Sequence, residues 1–231
     1  LFGFLAIIYY TFLVTTSTRS AWISFFIVIP FILYINKNII RKSYKKIIIL
    51  FLLFILITTG INFYQNGDIY SRFMSIFQDT NKLITGNQKE QERAGSNRIF
   101  IYKTSYPLIW KNPLLGSGLD TFHKVYPQSK YRKFVGKKII VDKAHNEYLQ
   151  LAITTGIPAL LFYLCFLYLI IKKAVIFNFK QGINKYYLAL FTAFLSYIIQ
   201  ANFNISVVSV APVFWSIMGL MIAADKIYSI K

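Results

Sequence analysis

Three side chains in this sequence stand out as able to do chemistry: Arg19, Arg98 and His145. A guanidinium is a planar fork of donors that suits bidentate binding of a phosphate. Arg19 lies in Thr15-Thr16-Ser17-Thr18-Arg19-Ser20, a polar break in an apolar run. It reads either as an arginine that snorkels to anchor a helix end or as a guanidinium facing a water-filled cavity. Arg98 follows Gly95-Ser96-Asn97, where Ser96 suits a helix N-cap. Ile99, Tyr102, Tyr106 and Ile109 recur at helical spacing and predict an amphipathic helix, stopped by Pro113 and the glycines at 116 and 118. A cation in the first turn of that helix opposes the dipole, and such local rule-breaking concentrates at functional sites. Otherwise Arg98 is an ordinary surface arginine.

His145 sits in Asp142-Lys143-Ala144-His145-Asn146-Glu147-Tyr148-Leu149-Gln150, at the predicted start of a helix. A helix N-terminus disfavours imidazolium, and a neutral imidazole can take a proton from a hydroxyl. Asp142 and Glu147 favour the charged ring, so the sequence leaves the balance open. The alternative is a polar histidine at a membrane interface. His123 reads as a loop residue without a role. The turn Asn112-Pro113-Leu114-Leu115-Gly116-Ser117-Gly118 permits close backbone approach, and its N–H groups could form an anion nest. A lone Gly-x-Gly is better explained as a plain loop.

Other motifs are missing. There is no Asp-x-Asp, no phosphate-binding Gly-x-x-x-x-Gly-Lys-Ser/Thr loop and no Cys/His spacing for a metal. Glu90 and Glu92 form the one close acidic pair and read as solvated. Cys165 is the single cysteine, so a disulfide scaffold is excluded, and it is expected to pack as a small apolar residue.

These groups need elements to hold them. Of 231 residues, 56% are hydrophobic and only 15% charged, where a soluble domain carries about 25%. The charge balance is nevertheless +18, from 26 basic and 8 acidic residues. Long apolar runs separate the basic groups, so nucleic acid is rejected as a partner in favour of a bilayer with basic loops. Spans of about 20 residues are expected at 1–14 (truncated), 20–35, 47–63, 148–171, 186–199 and 205–224. The fold class is thus all-α, a polytopic transmembrane bundle. Residues 1–63 hold three spans, 64–147 a large extracytoplasmic loop domain with amphipathic helices, and 148–231 three more spans. The short basic loops Asn36–Lys46 and Lys172–Lys185 place themselves in the cytoplasm. Alternation then puts Arg19, Arg98 and His145 outside. The excess of basic residues in the long loop suggests an anionic partner on that face. Leu1 opens inside an apolar run without a leader, as expected of the C-terminal part of a longer protein.

Several segments together resemble the O-antigen ligase and polymerase superfamily of bacterial membrane glycosyltransferases. Thr16-Ser17-Thr18-Arg19-Ser20-Ala21-Trp22 is similar to its Ser-Arg-Gly/Ser-Ala element, with Ser20 where many relatives have Gly. Ser96-Asn97-Arg98, then Trp110 through Gly118 and Phe122, resembles its Arg…Pro-Leu-Leu-Gly-x-Gly-x-x-x-Phe block. Ala144 through Gln150, then Thr155-Gly156-Ile157-Pro158, resembles its His-Asn-x-x-Leu-Gln block. The resemblance implies a polyprenyl-diphosphate-linked glycan donor, a glycan or glycolipid acceptor, no cofactor, no metal, and a multi-pass place in the bacterial cytoplasmic membrane with the site outside. It implies catalytic roles for Arg19, Arg98 and His145, with Asn146, Lys103, Gly116 and Gly118 binding substrate. Ligase and polymerase share these motifs. A transporter or flippase is the rival class, but it would place ionisable groups near the bilayer midplane, and the span interiors here lack them.

Overall fold

The computed structural model describes residues 2–181 and 185–229. It is all-helical, with no strand among the described residues. Its helices are α1 (Phe2–Thr15), α2 (Arg19–Ile35), α3 (Lys37–Tyr64), α4 (Asp68–Thr85), α5 (Gln88–Ile109), α6 (Phe122–Val125), α7 (Gln128–Val135), α8 (Glu147–Thr155), α9 (Ile157–Gln181), α10 (Lys185–Gln200) and α11 (Ala211–Ser229). Two of them contain stretches long and apolar enough to cross a membrane, Arg41–Tyr64 in α3 and Ile157–Phe177 in α9. The chain divides into two compact units, Leu1–Gln91 and Glu92–Lys231.

In the first unit α1 to α4 pack on one another. The polar break at Thr16–Thr18 separates α1 from α2, as its run of hydroxyls predicts. Val14, Trp22 and Ile69 form the small buried core, with Tyr10 and Leu13 against it. The Trp22 indole donates to the Leu13 carbonyl at 3.0 Å, and the Tyr10 hydroxyl pairs with Thr58 at 2.7 Å. A buried indole N–H needs such a partner, because hydrocarbon offers none. The basic stretch 36–46, expected as a loop, is largely the amphipathic start of α3, whose backbone is non-helical at Ser43. Residues 68–85, expected to be part of a long loop, form the strongly amphipathic α4.

The second unit has two apolar cores. One joins α9, α10 and α11 through Leu167, Ile170, Phe191, Phe194, Phe214 and Met218. The other gathers Ile101 and Leu108 of α5, Phe122 of α6, Tyr131 of α7 and Ile153 of α8. The buried stripe of α5 is Ile101, Ser105 and Leu108, and Tyr106 is exposed, so the expected Tyr102–Tyr106 face is not the apolar one. The apolar run 148–171 is not one helix, because it breaks at Gly156, where φ is +91°. α9 then runs on through Lys172 and Lys173 to Gln181, so the predicted loop at 172 begins as helix. Part of that loop, 182–184, and the last two residues of the predicted tail lie outside the described residues. The closing turn, expected at 200–204, extends to Val210 before α11 begins. Cys165 is exposed on α9 rather than packed.

Candidate functional site

The site in the second unit begins with a backbone anomaly. Gly95, Ser96 and Asn97 are consecutive left-handed residues, with φ of +62°, +60° and +67°. Side chains other than glycine and asparagine resist that region, so Ser96 is held there by its surroundings. It is therefore not the extended N-cap that the sequence suggests. Right-handed helix resumes with Arg98, which still enters in the first turn, half-buried. Tyr102 follows four residues later on the same face. Its hydroxyl donates to the His145 carbonyl at 2.9 Å and lies 3.2 Å from the Asn202 carbonyl. Burial raises the Tyr102 pKa, and the Arg98 charge works against that rise.

His145 is itself left-handed, at φ +53°, and half-buried. The next residue, Asn146, is extended and caps α8: its side-chain oxygen accepts from the Leu149 N–H at 2.9 Å. Its amide group donates to the Asn202 carbonyl at 3.0 Å. On the other side of His145, the Ala144 N–H donates to Gln150 at 2.8 Å. Glu147 anchors the base of α8. Its two carboxylate oxygens accept the hydroxyls of Tyr163 from α9 and Tyr197 from α10, each at 2.9 Å, and its N–H donates to the Ala201 carbonyl at 2.9 Å. The imidazole therefore stands on a backbone pinned from both directions. Burial pushes its pKa below the ordinary histidine value, the Arg98 charge pushes it further, and Asp142 opposes both. The balance left open by the sequence falls to the neutral ring, able to accept a proton.

The glycine turn sits at the other end of α8. The Ser117 and Gly118 N–H groups donate to the Ile153 and Thr154 carbonyls at 2.9 Å, and the Gly116 N–H to Asn112 at 2.9 Å. The Ile157 N–H returns a bond to the Pro113 carbonyl at 2.7 Å. A Cβ on Gly116 would collide with the Thr154 backbone, and one on Gly156 with the Leu114 carbonyl. The Ser117 and Gly118 N–H groups cap carbonyls in the last turn of α8, and the Gly116 N–H is taken up by Asn112 inside the turn, so none of the three is offered to an anion. Lys103, adjacent to Tyr102, pairs with Glu92 at 3.3 Å. Glu92 is thus engaged rather than solvated. Its neighbour Glu90 exchanges side-chain bonds with Asn87 across the first turn of α5, a capping box.

Arg19 belongs to the first unit. Its Nη1 donates to Asp79 at 2.7 Å and to Ser75 at 3.1 Å, both on α4. Lys82 reaches the other oxygen of Asp79 at 3.3 Å. The Arg19 side chain keeps 23% of its surface exposed, so this pair orients the guanidinium without sealing it off.

The structure thus brings Arg98, His145 and Asn146 together in one unit. Gly116 and Gly118 lie a short helix away, and Arg19 has its own partners. Among the described residues no group of three His, Cys, Asp or Glu could hold a metal ion. Sequence reasoning missed Tyr102 as a hydroxyl donor, Glu147 as an anchor, and Asn202 as the acceptor joining the last turn to the site. A carboxylate at the mouth of an apolar helix was the one available clue to Glu147.

Against known proteins, residues 4–164 match the family described as O-Antigen ligase. No curated protein matches the chain, and neither does any solved structure. That match covers more than half of the chain and takes in Arg19, Arg98 and His145. The chain therefore belongs to the O-antigen ligase family, membrane-integral glycosyltransferases of the ligase and polymerase type.

Proposed function

We propose that this protein transfers a glycan from a polyprenyl-diphosphate carrier to an acceptor hydroxyl on the outer face of the cytoplasmic membrane. The observation that carries this reading is that Tyr102, Asn146 and Glu147 fix the backbone around His145 within reach of the Arg98 charge, which together with burial favours the neutral ring. A cation beside an uncharged base matches the two demands of the reaction. The leaving diphosphate gains charge as the sugar–phosphate bond breaks, and a guanidinium stabilises that charge. The attacking hydroxyl must lose its proton, and the imidazole accepts it.

The acceptor oxygen forms its bond to the anomeric carbon as the bond from that carbon to the diphosphate oxygen breaks. The acceptor proton passes to His145, and the polyprenyl diphosphate departs with the electron pair. Asn146, capping α8 beside the imidazole, orients the acceptor, and Lys103 contributes positive potential. Arg19 is assigned to diphosphate binding by its place in the family's motif, with Asp79 setting its orientation.

The test is transfer from a synthetic polyprenyl-diphosphate donor by the full-length protein in proteoliposomes. Release of polyprenyl diphosphate with glycosylated acceptor supports the reading, and its loss in His145→Ala and Arg98→Ala assigns the site. Wild-type transfer by both variants would reject the assignment. Transport of intact donor without diphosphate release would point to a flippase. Product length separates the acceptor classes: one addition marks a ligase, a ladder of repeats a polymerase.

A further inference from the structure

The turn between α5 and α6 carries an apolar surface that none of the proposed chemistry uses. Trp110, Leu114, Leu115 and Leu119 are 62%, 72%, 84% and 81% exposed. In water such a cluster is costly, at about 25 cal/mol for each Å² of apolar surface. The turn that presents them is not loose. Three backbone bonds tie Pro113, Ser117 and Gly118 to the junction of α8 and α9, and Gly116 and Gly156 let the two backbones touch. That junction is where the apolar stretch Ile157–Phe177 begins. Twenty-one residues at 1.5 Å each span about 31 Å, close to the hydrocarbon thickness of a bilayer, so Ile157 falls at one edge of it. One turn further along α9, Leu161 and Phe162 are 59% and 78% exposed, continuing the apolar surface into the span.

We propose that Trp110, Leu114, Leu115 and Leu119 form a wedge seated in the lipid leaflet where α9 begins. The occupant of this surface is lipid, because the wedge is fixed to the boundary residue of a bilayer-length helix. It carries the tryptophan favoured at that depth, and exposed Lys111 beside it suits headgroup phosphates. The wedge also sets a distance. Its bonds fall on Ile153 and Thr154, and His145 lies at the opposite end of α8. Nine residues of helix cover about 13.5 Å, so α8 sets the spacing between the turn and the segment that carries His145. Lipid seating does not depend on the transfer chemistry, and its failure would leave that reading intact.

The experiment uses Leu115→Cys in a Cys165→Ser background, labelled with an environment-sensitive nitrobenzoxadiazole dye. The full-length protein is reconstituted in vesicles of phosphatidylcholine and phosphatidylglycerol with or without brominated acyl chains. Ser129→Cys, exposed on α7, is the control. Brominated lipid should cut emission at position 115 at least twofold and leave position 129 unchanged. Equal emission at position 115 in the two vesicle types overturns the proposal. So does shielding that appears equally in detergent and rises with protein concentration, because the surface would then meet a second copy.

Discussion

The Tyr102 hydroxyl donates across 43 residues to the main-chain carbonyl of His145. It holds the peptide rather than the ring, so it fixes where the imidazole starts without consuming either ring nitrogen. Tyr102→Phe keeps the aromatic packing and removes that anchor. A neutral hydrogen bond contributes about 1 kcal/mol to stability, so the variant should fold and insert. Transfer should fall about tenfold, because catalytic groups misplaced by a fraction of an ångström lose rate steeply. Thermal melting in detergent, read alongside the transfer assay, checks both parts.

Glu147 ties three helices together through one carboxylate. Replacing it by alanine leaves the Tyr163 and Tyr197 hydroxyls without their charged acceptor, and bonds to a charged group contribute about 2 kcal/mol each. Glu147→Ala should therefore melt well below the wild type. Glu147→Gln retains an acceptor oxygen and should recover part of the loss.

His145 makes a pH prediction. Its folded-state pKa is depressed, by burial first and by Arg98 second. The ring therefore stays neutral as pH falls through the ordinary histidine value of 6.5, and the acidic limb of the transfer profile lies below that value. Over the same window the unfolded chain takes up a proton that the folded chain refuses. This group's contribution to stability is thus full above pH 6.5 and is lost as pH falls towards the folded-state pKa. Removing the positive charge with Arg98→Met should move the limb of the residual activity upward in pH. A limb that moves downward or stays fixed contradicts the coupling.

Asp79 separates two readings of Arg19. If the guanidinium binds diphosphate and Asp79 only orients it, Asp79→Asn should keep most transfer and Arg19→Ala should abolish it. If the pair is purely structural, the two variants should lower the melting temperature by similar amounts and reduce transfer in step.

The reciprocal glycines make a steric prediction. Gly116→Ala and Gly156→Ala each drive a methyl group into backbone and occupy positive φ as well. Either should destabilise by roughly 3 kcal/mol or more. Gly136→Ala serves as the control, since it shares the positive φ but has open space around it.

The sequence revealed its helices better than its joints. Apolar runs place α1, α2, α10 and the body of α3 within a few residues, because 3.6-residue periodicity and bilayer length are local properties. The break between α8 and α9 escapes that logic: Leu149 to Ile170 is apolar almost throughout, and only the backbone at Gly156 interrupts it. The chemistry divides the same way. Arg98 and His145 stood out as polar residues at helix starts. Their supports did not, because Tyr102 meets His145 across 43 residues and Asn202 across 100. Likewise the charge of Arg19 was visible, while its partner Asp79, 60 residues away, looked like one acid in a long polar stretch.

Asn202 lies beyond residue 164, where the family match ends. Its carbonyl nevertheless receives Asn146 and lies within reach of Tyr102, and the neighbouring Ala201 carbonyl receives the Glu147 N–H. A chain cut back to the matched segment would keep Arg19, Arg98 and His145 and lose the Tyr197, Ala201 and Asn202 contacts that brace the His145 segment. Any piece that keeps that geometry must extend past the turn after α10, so recombination between relatives should exchange the 145–150 segment and the 200–204 turn together.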